Sequence, residues 1–474
     1  MTEDFADITD TDLGISLTTK YPRLENVIYD VENKTITHRP DLMGHAGIAR
    51  ELYAMYQQTN PSAIKKHNLT QWSDYAIQSL DYLSHNETTN TQNIKVKTDH
   101  CRAYYAISLT DVQVTRSTFH TRLQLLDLGL TPRNNWVDFS NLFMYQTGQP
   151  IHCFDTDQIQ GNITVRMAAE GEQFVDLMDG EHTLTPEDIV IADDQKILAL
   201  AGVIGGQSSA VTDTTKNITI ELANFDPIIV RKTAIRHGIR TDASARFEKN
   251  ISPLMTQSMI IALRDMMTYM QPDLREIHRA GVSAATLLPL QNIHIPRSLD
   301  ELHRIVGDIP ADRMEQVLED LGFVVKESEV IVPRRRSPRD ITLPADVAEE
   351  VVRIVGYDTL VAKPIPTTIA HQSPSSQPLL QRRIETLLTK QYHADSVETY
   401  PWAPDEMYEL FGIDATQLPT LQNPLQPEQS HLSHSVLYNL LGLIVKNHKF
   451  YDSLRPYTIG SVRAGEPRSY ADTW

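Results

Sequence analysis

Short apolar runs and amphipathic stretches alternate through the middle of the chain. Ala103 to Leu109, Ile163 to Met167, Ile189-Val190-Ile191-Ala192 and Ile218-Thr219-Ile220-Glu221 read as strands, and Ser117 to Leu128 as a helix. This mixture predicts an α+β domain over residues 98–280. Upstream, a turn at Arg39-Pro40-Asp41 leads into a helix whose packing face carries Ile48, Leu52 and Met55. A polar stretch from Gln57 to Lys97 then marks a boundary, so residues 1–97 form an N-terminal segment.

Residues 290–363 predict a smaller unit with a helix at Ala311 to Leu321, whose Met314, Val317 and Leu318 share one face, completed by a strand and a second helix. Pro364 to Pro378 holds four prolines and three serines in fifteen residues and predicts a linker. Residues 379–474 form a last domain, with buried-face helices at Leu379 to Leu388 and Val436 to Val445 flanking a strand at Val397 to Tyr400. No internal repeat is present in the sequence.

At 474 residues the chain is too long for one core and predicts three or four domains. No apolar run approaches the roughly 20 residues that span a bilayer, and the acidic start Met-Thr-Glu-Asp-Phe-Ala-Asp is no secretory signal. The expectation is a cytoplasmic protein without membrane contact. Two cysteines, Cys101 and Cys153, are too few for a disulfide framework and read as packing residues. The formal charge of −18 argues against wholesale nucleic-acid binding. Basic clusters nevertheless occur at Arg231 to Lys249 and at Arg334, Arg335, Arg336 and Arg339, as local binding patches or as solvated faces.

Candidate chemistry concentrates in residues 134–155, where Asn141 and His152 interrupt the apolar pattern. A neutral imidazole and an amide suit a pocket that orients a water, although a histidine beside Pro150 also suits a purely structural turn. Glu221 ends an apolar strand, as a carboxylate presented to a cleft or as an edge residue, and Gly205-Gly206 let a backbone approach closely without forming a phosphate loop. Pro344 and Gly356 bracket a helix on which Asp346, Glu349 and Glu350 share one face, opposite Val347, Val351, Ile354 and Val355. With Asp340, these carboxylates suit either a hard divalent cation or the helix dipole. His431, His434 and His448 have ligand-like spacing without a supporting carboxylate or cysteine and read as surface residues.

Residues 134–155, Ile-Glu-Leu-Ala-Asn-Phe-Asp-Pro from 220 and Arg-Thr-Asp-Ala-Ser-Ala-Arg-Phe-Glu from 240 resemble, in order, the editing module of bacterial phenylalanyl-tRNA synthetase beta subunits. The resemblance extends over about residues 25–465. It implies an α+β multidomain chain: a mixed α/β editing module, a small helical domain with an acidic magnesium site, and a partial class II synthetase-like antiparallel core. It also implies hydrolysis of tyrosine misattached to tRNA(Phe), with His152, Asn141 and Glu221 in the editing pocket and Ser140, Gly205, Thr241 and Ala243 at other pocket positions. Ser140 stands where the family often has Thr, Cys153 where Ala is usual, and Ser433 where Arg is usual.

Asp340, Asp346, Glu349 and Glu350 match the family's Mg2+ ligands. The implied partners are tRNA(Phe) and an alpha subunit, in a heterotetramer of two alpha and two beta chains, where ATP is used at the alpha site. Relative to that family the chain reads as truncated at both ends. The alternative is a non-catalytic RNA-binding or assembly scaffold with an inactive editing pocket; a freestanding hydrolase would leave residues 290–474 without a partner.

Overall fold

The computed structural model describes residues 14–21, 24–32, 34–59, 94–270, 279–286, 291–297, 299–307, 309–362, 364, 367 and 375–462. Most of the expected polar boundary at 57–97 and most of the expected linker at 364–378 lie outside these residues. The chain divides into two compact units, one up to Ala362 and one from Lys363 on.

In the first unit the strands run β1 (Ile94–Val96), β2 (Cys101–Leu109), β3 (Ile151–Asp155), β4 (Ile163–Met167), β5 (Gln173–Val175), β6 (Glu181–Thr183), β7 (Ile189–Ala192), β8 (Ile197–Leu200), β9 (Ile204–Gly205), β10 (Ile218–Phe225) and β11 (Arg279–Thr286). One antiparallel sheet has the order β11-β2-β10-β3, and a second has the order β1-β4-β7-β8-β9. All eight residues of β10 are buried, as expected of a central strand covered on both faces. Side chains alternate across it. The Cys153 thiol reaches the Trp136 carbonyl, so that face of the sheet lies under helix Asn135–Thr147. Asn224 donates to the Ile251 carbonyl, which places helix Pro253–Met270 on the same side. The opposite face, with His152 and Glu221, therefore looks toward the second sheet.

Local sequence explains the helices that frame this arrangement. The Asn134 side chain caps helix 135–147 by accepting from the Trp136 and Val137 amides, and Gly148 ends it at φ +81°, a conformation costly for other residues. Trp136, Phe139 and Phe143, on the inward face, are buried. Truncating such a ring costs about 3–5 kcal/mol. Helix Pro227–His237 starts on an Asp226 cap with Pro227 in the first turn and stops at Gly238.

A second core contains Met314, Val317, Leu318, Val347, Val351 and Ile354, the apolar faces expected from the sequence. The unit around it is less purely helical than expected. Strands β12 (His294–Pro296), β13 (Val324–Val325) and β14 (Glu329–Ile331) form an antiparallel sheet in the order β12-β14-β13.

The helix after Arg39-Pro40-Asp41 spans His45–Thr59 but packs differently from the expectation. Leu52 and Met55 are 47% and 50% exposed, whereas Ala54 is fully buried in the second core. The buried edge runs through Gly47, Glu51 and Ala54. A Cβ on Gly47 would stand 1.8 Å from the Asp41 carbonyl oxygen, so this glycine sets the close approach, and Tyr53 is buried beside Ala54 while Leu52 and Met55 face outward.

In the second unit a short parallel pair, β15 (Asp395–Ser396) with β16 (Pro456–Tyr457), stands near the expected strand at 397–400. Otherwise only isolated antiparallel bridges, Trp402 with Leu432 and Thr420 with His431, are present among the described residues, in place of an antiparallel core. Helix Ser376–Tyr392 has no buried residue and helix Leu437–Asn447 buries only Tyr438, so neither buries an apolar face as expected. The small core is Ala403, Tyr408 and Tyr438. His431 is not a bare surface residue, because its Nδ1 lies 2.9 Å from Asp405 Oδ1.

Candidate active site

A cleft opens between the two sheets of the first unit, lined by Pro150, Ile151 and His152 of the β3 region, Gly202 to Gly205 before and in β9, Glu221 of β10, and Ala243 and Phe247. Its volume is about 60 Å³, room for about four waters. Glu221 is paired in register with His152 on β3 and with Ala106 on β2, so all three project from one face of the sheet.

Both titratable groups are shifted by burial alone. Loss of solvent pushes the Glu221 carboxyl up to about 8 and the His152 imidazole down to about 4, because each charged form has lost its water. At neutral pH the cleft thus holds a largely protonated carboxylic acid, which can donate and accept, beside a neutral imidazole. His152 Nε2 is buried without a hydrogen-bond partner, and the ring packs edge-on against Phe154 at 4.6 Å between centroids.

Glycines bring the walls together. A Cβ on Gly205 would stand 2.4 Å from His152 Cε1, and one on Gly206 would stand 2.6 Å from the Leu198 carbonyl oxygen. Gly202, at φ +69°, lies against Val230, Phe225 and Phe247. Thr241 does not line the cleft. Its hydroxyl donates to the Val203 carbonyl at 2.7 Å and accepts from the Ser244 amide, capping helix Asp242–Phe247 and fastening Ala243 and Phe247 to the cleft wall.

Asn141 and Ser140 are not brought into the cleft. Both stand on helix 135–147, which covers the other face of the sheet, and the Ser140 hydroxyl donates to the Val137 carbonyl of its own helix.

The acidic cluster of the second core is organised by arginines. Arg336 donates to Asp340 at 2.5 Å and to both Glu350 oxygens, at 2.5 and 3.1 Å. Arg353 adds two bonds to Glu350, at 2.8 and 2.7 Å, and also pairs with Glu51. Arg39 clasps Asp41 through two bonds and reaches Glu51 at 2.7 Å. Burial by itself would raise the Glu350 carboxyl, but the Arg353 and Arg336 guanidiniums hold it far below the usual range. Asp346 accepts from the Thr342 and Leu343 amides at the helix start, and Glu349 is exposed.

The four carboxylates therefore do not form a ligand set. Two are neutralised by Arg336, one caps its helix and one faces solvent. Among the described residues no group of three or more His, Cys, Asp or Glu is placed to hold a metal. In this arrangement the Arg336 and Arg353 guanidiniums supply the positive charge that buried Asp340 and Glu350 need.

Comparison with known proteins bears on both regions. Residues 100–271 match the B3/4 domain family, and residues 295–357 match the tRNA synthetase B5 domain family. The phenylalanine–tRNA ligase beta subunit of Solibacter usitatus is 34% identical over 443 residues, covering 91% of this chain and 55% of that one. Those of Fusobacterium nucleatum and Leptospira biflexa are each 30% identical, over 90% and 95% of this chain and 52% and 55% of theirs.

The chain belongs to the phenylalanine–tRNA ligase beta-subunit family. It spans about half the length of these relatives. Among solved structures, an N-terminal fragment of the phenylalanyl-tRNA synthetase beta subunit from Pyrococcus horikoshii is 15% identical with a TM-score of 0.33, covering 67% of this chain and 84% of that one.

The cleft lies inside the B3/4 match, and the arginine-carboxylate cluster joins the B5 match to the Arg39-Pro40-Asp41 segment. Sequence reasoning did not single out the cleft wall of Ile191, Ala199, Leu200, Val203, Ile204 and Phe247, since an apolar residue beside a cavity has the same local pattern as one without. No described helix is long and apolar enough to cross a membrane.

Proposed function

We propose that this chain serves as the beta-subunit part of a phenylalanine–tRNA ligase and that its inter-sheet cleft hydrolyses tyrosine mischarged onto tRNA(Phe). The observation that carries this reading is Glu221 facing His152 across the β10–β3 ladder, both uncharged at neutral pH in a small apolar-walled cleft. A tyrosine hydroxyl can donate to and accept from the Glu221 carboxyl. Phenylalanine would leave that buried group unpaired, and sites of this kind reject the analogue lacking the hydroxyl by as much as roughly 10⁴-fold. Water adds to the ester carbonyl carbon, the bond to the ribose oxygen breaks, and tyrosine and free tRNA leave. The His152 imidazole, with Nε2 unpaired, can hold a water or an ester oxygen during this step.

Amino-acid activation with ATP and magnesium is assigned to a cytoplasmic complex with an alpha subunit, two alpha with two beta chains. The test compares hydrolysis of tyrosyl-tRNA(Phe) and phenylalanyl-tRNA(Phe) by the wild-type chain and by Glu221→Ala. The wild type should prefer the tyrosyl substrate and the variant should lose the preference. Equal wild-type rates would sink the proposal and leave the scaffold reading.

A further inference from the structure

Beside the cleft stands the β5–β6 hairpin, whose turn the proposed hydrolysis leaves unused. Its tip is tightly built. Asp176, itself buried, accepts from the Met178 and Gly180 amides at 2.7 and 2.9 Å through Oδ1 and pairs through Oδ2 with His182 Nε2 at 2.8 Å. Asp179 takes a left-handed conformation at φ +65°, which closes the turn. The tip is also fastened to the cleft wall, because the Leu177 amide donates to the Gly205 carbonyl at 3.1 Å and Asp176 bridges to Gly206. Leu177 Cδ1 lies 3.0 Å from where a Cβ on Gly205 would stand, so Leu177 and His152 flank the same glycine.

This anchored turn nevertheless exposes large apolar side chains, with Leu177 45% and Met178 78% accessible. Two backbone amides and the His182 imidazole bind that aspartate, so the turn needs neither the Leu177 nor the Met178 side chain for its own fold. Folding alone offers no reason for an apolar pair at the mouth of a cleft.

We propose that Leu177 and Met178 form the platform that receives the 3′-terminal adenosine of an aminoacyl-tRNA whose amino acid occupies the cleft. The inference rests on the hydrolytic reading above. A cleft with room for about four waters cannot hold an amino-acid side chain together with a ribose and a purine. The ribose and base attached through the ester must therefore lie outside its mouth, where Gly205 meets the hairpin. An apolar, polarisable surface suits the face of a purine there, and a methionine thioether adapts to a planar ring. Fixing the nucleoside there would add binding energy shared equally by the bound substrate and the transition state.

The experiment uses the chain in complex with its partner subunit and two tyrosine esters, tyrosyl-tRNA(Phe) and tyrosine methyl ester, which has no nucleoside. In a Leu177→Ser/Met178→Ser double variant, KM for tyrosyl-tRNA should rise about tenfold, as expected from the loss of some tens of Å² of apolar contact. Its kcat and the methyl ester hydrolysis should stay within about twofold, and Leu177→Met/Met178→Leu should restore the wild-type KM. An unchanged KM in the double variant, or equal losses on both esters, would overturn the platform while leaving the cleft assignment standing. A wild-type chain inactive on tyrosyl-tRNA would overturn both readings.

Discussion

Gly205 and His152 are in such close contact that a single methyl group on the glycine would stand 2.4 Å from the imidazole Cε1 and 2.6 Å from Nε2. The histidine's orientation is thus set by the absence of a side chain on the facing strand. Gly205→Ala should push the ring away and cut tyrosyl-tRNA hydrolysis by about a hundredfold, the cost of a misplacement near 1 Å. Overpacking should lower stability by about 1–3 kcal/mol. Single-turnover deacylation together with urea denaturation checks both.

Glu221 gives a pH signature. Its native pKa, about 8, lies above the ordinary 4.5, so between these values the native state keeps a proton that the unfolded chain has released. Stability should therefore fall as pH rises from about 4.5 toward 8, by a few kcal/mol in total. Glu221→Gln should remove this slope. His152 acts in the opposite sense and in a lower window, since its native pKa near 4 lies below the ordinary 6.5, and stability is lost as pH falls from 6.5 toward 4. Thermal unfolding across pH 4 to 9 for wild type, Glu221→Gln and His152→Gln separates the two contributions.

The arginine-carboxylate cluster should behave as a structural hub. Arg336→Met leaves Glu350 with Arg353 alone and Asp340 without its 2.5 Å partner, and breaking such buried pairs costs about 3–5 kcal/mol. Chemical denaturation measures the loss. Neither EDTA nor millimolar magnesium should move the melting temperature of the chain alone, because a ligand that binds only the native state would raise it. A magnesium-dependent rise would restore the cation-site reading of Asp340, Asp346, Glu349 and Glu350.

Thr241 acts on the cleft from behind. Thr241→Val removes both the cap on helix 242–247 and the bond to the Val203 carbonyl, which should cost about 1–2 kcal/mol. With Ala243 and Phe247 released from the wall, KM for tyrosyl-tRNA should rise along with the stability loss. Steady-state kinetics beside a melting curve tests the link.

Much of the element pattern could be read along the chain because it depends on neighbours. Val347, Val351 and Ile354 fall at helical spacing and are buried, and the strand expected to end at Glu221 is buried but runs on to Phe225, which puts Glu221 in its middle. The helix at 45–59 departs from its apolar spacing for a packing reason: it is buried through Gly47, Glu51, Tyr53 and Ala54, a glycine, a charge and an alanine among them, while Leu52 and Met55 face outward. The exposed faces of helices 376–392 and 437–447 show the converse, since an apolar stripe states a need for burial without supplying the surface that meets it.

The sequence by itself determined the kinds of elements, the caps that begin and end them, the likeness to beta-subunit domains and the presence of chemically able residues. Only the tertiary structure decided which of those residues meet. Register across β10 and β3 brings Glu221 to His152, although they are 69 positions apart, and alternation leaves Asn141 on a helix over the opposite face. Likewise, carboxylates spaced for a cation became partners of Arg336 and Arg353, because charge balance in a buried cluster is settled by whatever folds against it. Pairing, facing side and electrostatic partner are long-range quantities, and no local pattern encodes them.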